Sequence, residues 1–127
     1  MKNPEEILKA WLQAVNNRDI ENLLAFYNKS AILIPTFSNR ILNSSAKIRD
    51  YFEKLNMNKE LHVTLHENTV KVQEIAENIY ALCGIYLWQM AVEEEALSFE
   101  ARFSFVLDLR QHDPIIQHHS SQIPRML

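Results

Sequence analysis

From Ile79 to Val92 the chain runs for 14 residues almost entirely through apolar and aromatic side chains, Ile85-Tyr86-Leu87-Trp88 among them. Such a run between polar turns is a strand buried on both faces, so both faces must be covered by something. The segments on either side repeat the strand pattern. Leu61, Val63 and Leu65, then Val70 and Val72, alternate with polar residues. After an acidic turn at Glu93-Glu94-Glu95, Leu97 to Leu109 forms a long strand with Phe99, Phe103, Phe105, Leu107 and Leu109 on one side. Arg102, Ser104 and Val106 take the other side. Gln111-His112-Asp113-Pro114 turns the chain into a last strand, Ile115 to Ile123.

The N-terminal half has a different period. Asn3 caps a helix that opens with Pro4, Glu5 and Glu6 and carries Ile7, Leu8, Trp11, Leu12 and Val15 on one face. Asp19 caps a second short helix through Leu23, Leu24, Phe26 and Tyr27, and Ser45 caps a third bearing Ile48, Tyr51, Phe52 and Leu55. Between them lie a brief strand, Ala31 to Ile34, ended by Pro35, and a loop from Thr36 to Ser44. Three helices followed by a meander of antiparallel strands predict one α+β domain over residues 1–127.

Composition narrows the function. A net charge of −3 lacks the basic stripe of a nucleic-acid binder. No apolar stretch or leader pattern directs the chain to a membrane, and a soluble, cytoplasmic protein is expected. Gly84 is the only glycine, which excludes glycine-rich phosphate loops, and Cys83 is the only cysteine. No cofactor is expected. His62 and His66 lie on a strand-like segment, and His118 and His119 are adjacent, so neither pair chelates a metal.

Three segments resemble the SnoaL-like/NTF2-like superfamily, and within it bacterial relatives of the association domain of calcium/calmodulin-dependent protein kinase II. They are Leu33-Ile34-Pro35-Thr36-Phe37-Ser38-Asn39-Arg40 with Ile48-Arg49-Asp50-Tyr51-Phe52, then Ala101-Arg102-Phe103-Ser104-Phe105-Val106, then His118-His119-Ser120-Ser121-Gln122-Ile123-Pro124. The resemblance implies a cone, three N-terminal helices packed on a strongly curved antiparallel sheet. It also implies a homodimer through the sheet's outer face, with higher-order assembly in the kinase domain. The glycine-containing turn and the tryptophan that family members carry before the last strand are replaced here by Gln111-His112-Asp113-Pro114.

By resemblance Arg102 points into the cone, where its permanent charge would hold a carboxylate of a small anionic or polar ligand. An internal ion pair with Glu100 or Asp50, or plain exposure, is the alternative. Tyr86 and Trp88 share a strand face and are expected to line the same cavity, or else to be core. His118 and Ser120 share a face that the resemblance assigns to the cavity, leaving His119 and Ser121 toward the dimer. His118 would donate a hydrogen bond, act as acid or base, or be a satisfied buried histidine. Phe103, Phe105 and Leu107 with Ile85 and Leu87 are expected to form the apolar dimer face. Trp11 and Tyr27 are secondary candidates, and the polar loop at Asn39 and Arg40 is expected to gate entry at the cone's open end, or else to be a structural turn or a subunit contact. Enzymes with this cone place a general base in it, yet Leu33-Ile34-Pro35-Thr36 carries no acid. The expectation is therefore a ligand-binding association module. The alternative is an isomerase, cyclase or hydratase using His118.

Overall fold

The computed structural model describes residues 3–124. Helix α1 spans Pro4–Asn16, α2 Ile20–Ala25 and α3 Ser45–Asn56. The strands are β1 Tyr27–Ile34, β2 His62–Leu65, β3 Lys71–Ala76, β4 Ile79–Val92, β5 Glu95–Asp108 and β6 Ile115–Gln122, with a single 3₁₀ turn at Glu67–Thr69. Asn3 accepts the Glu6 N–H at 2.9 Å while its own amide donates to the Glu6 carboxylate at 2.7 Å, so the start of α1 is closed from both sides. Ser44 caps α3, one residue earlier than expected, because Ser44 has the extended backbone of a cap and Ser45 is already helical. The second helix is shorter than expected. Tyr27 has left it to begin β1 in register with Ile115.

All six strands join one curved sheet in the order β1-β6-β5-β4-β2, and β3 pairs with the half of β4 that β2 leaves open. The sheet is mixed, not wholly antiparallel, because β1 runs parallel to β6. Helix α1 packs across β2 and β4, α3 lies against β1, and α2 joins the two helices. The Asn16 amide both donates to and accepts from Val63 backbone at 2.8 Å, fastening the end of α1 to β2. Arg49 grips Glu21 through two hydrogen bonds of 2.8 and 2.9 Å, tying α3 to α2. The result is the expected α+β cone, with helices over one sheet face only.

β4 and β5 meet in a two-residue turn, since Val92 pairs with Glu95. Glu93 and Glu94 both have positive φ, 51° and 68°, as the tight right-twisting hairpin turn requires. That register decides which side chains face the helices. Directly opposed residues share a face, and Tyr86 opposes Ala101, Gly84 opposes Phe103, and Leu82 opposes Phe105. The aromatic row of β5 is therefore inside. Phe103, Phe105 and Leu107 are 3%, 2% and 0% exposed, which corrects their expected place on the dimer face. A Cβ at Gly84 would come within 2.9 Å of the Phe103 ring, so the one glycine makes room for Phe103 to stack on Tyr86 at 4.5 Å. Among the described residues no helix is long and apolar enough to cross a membrane.

Candidate functional site

The inside of the cone is organised around Trp11, which is fully buried at the centre of α1. Its indole stacks on Tyr86 at 5.9 Å and meets Trp88, Phe105 and His118 edge-on at 6.1, 5.6 and 5.2 Å. Through this aromatic mass runs a chain of polar atoms. Trp11 Nε1 donates to the Tyr27 hydroxyl at 3.0 Å, and that hydroxyl lies 2.8 Å from His118 Nδ1. On the other side of the ring, His118 Nε2 lies 3.2 Å from the Tyr86 hydroxyl, which donates to Ser120 Oγ at 2.6 Å. Ser120 in turn pairs with Thr36 Oγ1.

The direction of these bonds follows from what each group can donate. An indole N–H only donates, so the Tyr27 oxygen accepts it and the Tyr27 proton is free for His118 Nδ1. Tyr86 gives its proton to Ser120, so it accepts from His118 Nε2–H. The imidazole is thus neutral and protonated on Nε2. Burial, with His119 as a lesser cause, holds its pKa down at about 3. Burial also pushes the Tyr27 and Tyr86 phenols up from their usual value. The His118 ring, flat on Phe105 at 3.9 Å between centroids, has no nitrogen left for a substrate proton.

Tyr86, Trp88, His118 and Ser120 therefore stand together inside, with Trp11 and Tyr27 as full members of the network. Arg102 does not join them. It opposes Ile85 and Ser121 across the sheet, so its side chain leaves on the outer face and is exposed. The expectation that it points into the cone is corrected. Neither of its expected internal partners, Glu100 or Asp50, is bonded to it: Glu100 pairs with His66 at 3.1 Å and Asp50 with Lys54 at 2.9 Å. Sequence reasoning passed over Thr36. Its signal was its place directly after Pro35, which ends β1 beside β6.

Little space remains at the centre. The void bounded by Thr36, Tyr51, Tyr86, Trp88, His118 and Ser120 measures about 10 Å³, room for a single water-sized group. Outside it, between the loop Phe37–Leu42 and α3, lies an open groove of about 710 Å³. Tyr51 borders both spaces, and Phe37, which lines the groove, meets Trp88, which lines the void, edge-on at 5.6 Å. The cations at this opening are Arg40, Lys47 and Lys54, and Asp50 neutralises Lys54.

The family model described as the calcium/calmodulin dependent protein kinase II association domain matches residues 3–124. A protein from Xanthomonas campestris assigned to that association domain has a similar structure, with a TM-score of 0.82 and 24% identity over 94% of this chain and 85% of that one. An uncharacterised cystatin-like protein from Caulobacter vibrioides matches with a TM-score of 0.79 at 12% identity, over 94% and 87% of the two chains. A protein from Shewanella putrefaciens assigned as a SnoaL-like polyketide cyclase matches with a TM-score of 0.66 at 16% identity, over 96% and 90%. No curated protein matches the sequence.

Proposed function

The chain belongs to the calcium/calmodulin dependent protein kinase II association domain family, and on that footing we propose that it is an assembly subunit that pairs with a second copy through the outer face of its sheet. One observation carries this: β4 is apolar on both faces, and the described residues cover only one of them. Leu82, Tyr86, Trp88 and Met90 are buried under the helices. Ala81, Cys83, Ile85 and Leu87 face the other way, each only half-buried by its strand neighbours. No described helix packs on that side. An aliphatic stripe of this kind, rimmed by polar residues, is the surface that a partner layer removes from water.

The charges on the face suit a twofold pairing. Glu100 and Arg102 stand two apart on β5, both exposed and both outward. In an isologous contact the same patch meets itself, so each copy's Arg102 can lie opposite the other copy's Glu100. The reading thus moves Arg102 from a ligand to an interface. It also makes no use of His118 as acid or base, because both ring nitrogens are already committed.

Sedimentation equilibrium tests this. The purified chain should have at least twice its monomer mass of 14.9 kDa, and Leu87→Asp should reduce it to a monomer that keeps its near-ultraviolet circular dichroism. A wild-type monomer at tens of micromolar would refute the proposal.

A further inference from the structure

Among the described residues, one buried side-chain polar atom has no hydrogen-bond partner, the indole Nε1 of Trp88. The residue is only 3% exposed, so the unmet N–H is unfavourable unless something accepts it. It lies near enough to the Tyr86 hydroxyl to favour the charged form there, yet makes no hydrogen bond to it. Trp88 borders the same small void as Thr36. Thr36 is where the polar chain ends. Tyr86 donates to Ser120, and whichever of Ser120 and Thr36 donates to the other, one hydroxyl proton of that pair is left over beside the void. Two donors therefore border a space the size of one atom, and their shared requirement is an acceptor.

We propose that Trp88 Nε1–H and Thr36 Oγ1–H form a subsite for the uncharged carbonyl oxygen of a small ligand whose apolar body lies in the groove beyond Phe37. The lining fixes the class of head group. It contains no cation, and His118 stays neutral, so a carboxylate would be buried there without a counter-charge, which is strongly unfavourable. A ketone or amide oxygen needs only the two donors. The size of the void fixes the arrangement. About 10 Å³ admits an oxygen and no more, so the rest of the molecule must occupy the groove of about 710 Å³ next to it. Phe37 is the side chain to be displaced. It is half-buried on an irregular loop and held by edge contacts to Trp88 and Phe99, both at 5.6 Å. This site is separate from the sheet face and does not depend on pairing of two copies.

The chain has two tryptophans, so its two indole N–H resonances can be assigned with a Trp88→Phe variant and followed by nuclear magnetic resonance. Acetophenone should move the Trp88 signal downfield in a saturable way and leave Trp11, already bonded to Tyr27, nearly still. Benzoate at neutral pH should not move it. Thr36→Val should weaken acetophenone binding by roughly 3- to 10-fold, the loss of one hydrogen bond, whereas Thr36→Ser keeps the donor and should retain it. Equal affinity for ethylbenzene, which has the shape without the carbonyl, would overturn the proposal. So would a Trp88 signal that acetophenone leaves unmoved, an outcome that would assign the void to a bound water.

Discussion

The two faces of the β4–β5 hairpin are built from the same fourteen-residue strands and follow opposite rules. Inside, large rings interlock and polar atoms are joined end to end, so that Trp11, Tyr27, His118, Tyr86, Ser120 and Thr36 each meet a partner. Outside, an aliphatic stripe from Ala81 to Leu87 lies beside Glu100, Arg102, Ser104 and His119, with no layer of the described residues over it. Burial makes the inner face intolerant of any lost group, because a deleted ring leaves a hole and a deleted hydroxyl leaves an orphan. The outer face is still partly solvated, and its energy is realised only when a second surface meets it. Mutations should therefore affect folding on one side and association on the other.

The largest test compares neighbours. Phe103→Ala removes a ring stacked on Tyr86 and edge-on to Phe105, and should cost about 3–5 kcal/mol of unfolding free energy. Ser104→Ala, one residue on and facing outward, should stay within about 0.5 kcal/mol. Urea denaturation at equal protein concentration measures both. Similar losses in the two variants would mean that the face assignment is wrong.

The next test uses the buried imidazole. His118 has a folded-state pKa of about 3 against an ordinary 6.5, so the unfolded chain binds the extra proton first as pH falls. Its contribution is complete above about pH 6.5 and declines from there toward pH 3, with a slope of up to about 1.4 kcal/mol per pH unit. Unfolding of His118→Gln between pH 7 and 4.5 should show a shallower decline than the parent.

Much of this architecture is legible before any coordinates. The cap Asn3-Pro4 and the spacing Ile7, Leu8, Trp11, Leu12, Val15 specify α1, and every one of those apolar residues is buried. The placing of Arg102 was not legible: the resemblance assigned it to the cone, and only the register of β4 against β5, which depends on turn length, shows it outside. With Glu93-Glu94-Glu95 as a three-residue turn, Val92 opposes Ala96 and Tyr86 opposes Arg102, which puts the guanidinium beside the aromatics. The actual two-residue turn pairs Val92 with Glu95 and shifts every partner by one, so Tyr86 opposes Ala101 and Arg102 opposes Ile85. Nothing in Glu93-Glu94 signals a positive-φ pair, a role usually filled by asparagine and glycine. Alternation shows that a strand has two faces, and register alone shows which face is inside. The polar chain was harder still, since its members come from α1, β1, the loop after Pro35, β4 and β6.

The smallest expected effect tests how the outer face recognises itself. Arg102 and Glu100 are exposed, and exposed ion pairs contribute at most about 1 kcal/mol, roughly 5-fold in an equilibrium constant. Arg102→Glu should therefore weaken pairing of two copies moderately, more at low than at high salt, and leave the fold intact. Glu100→Arg should do the same. Combined, the two changes reverse the charges and should restore most of the association, because a twofold contact still brings opposite signs together. Dimer dissociation constants from sedimentation for the four chains give the coupling energy. If the swap is additive instead, the two residues do not meet across the axis. Pairing would then rest on the aliphatic stripe alone, and charge would distinguish only the inner face, where it is excluded, from the outer, where it is tolerated.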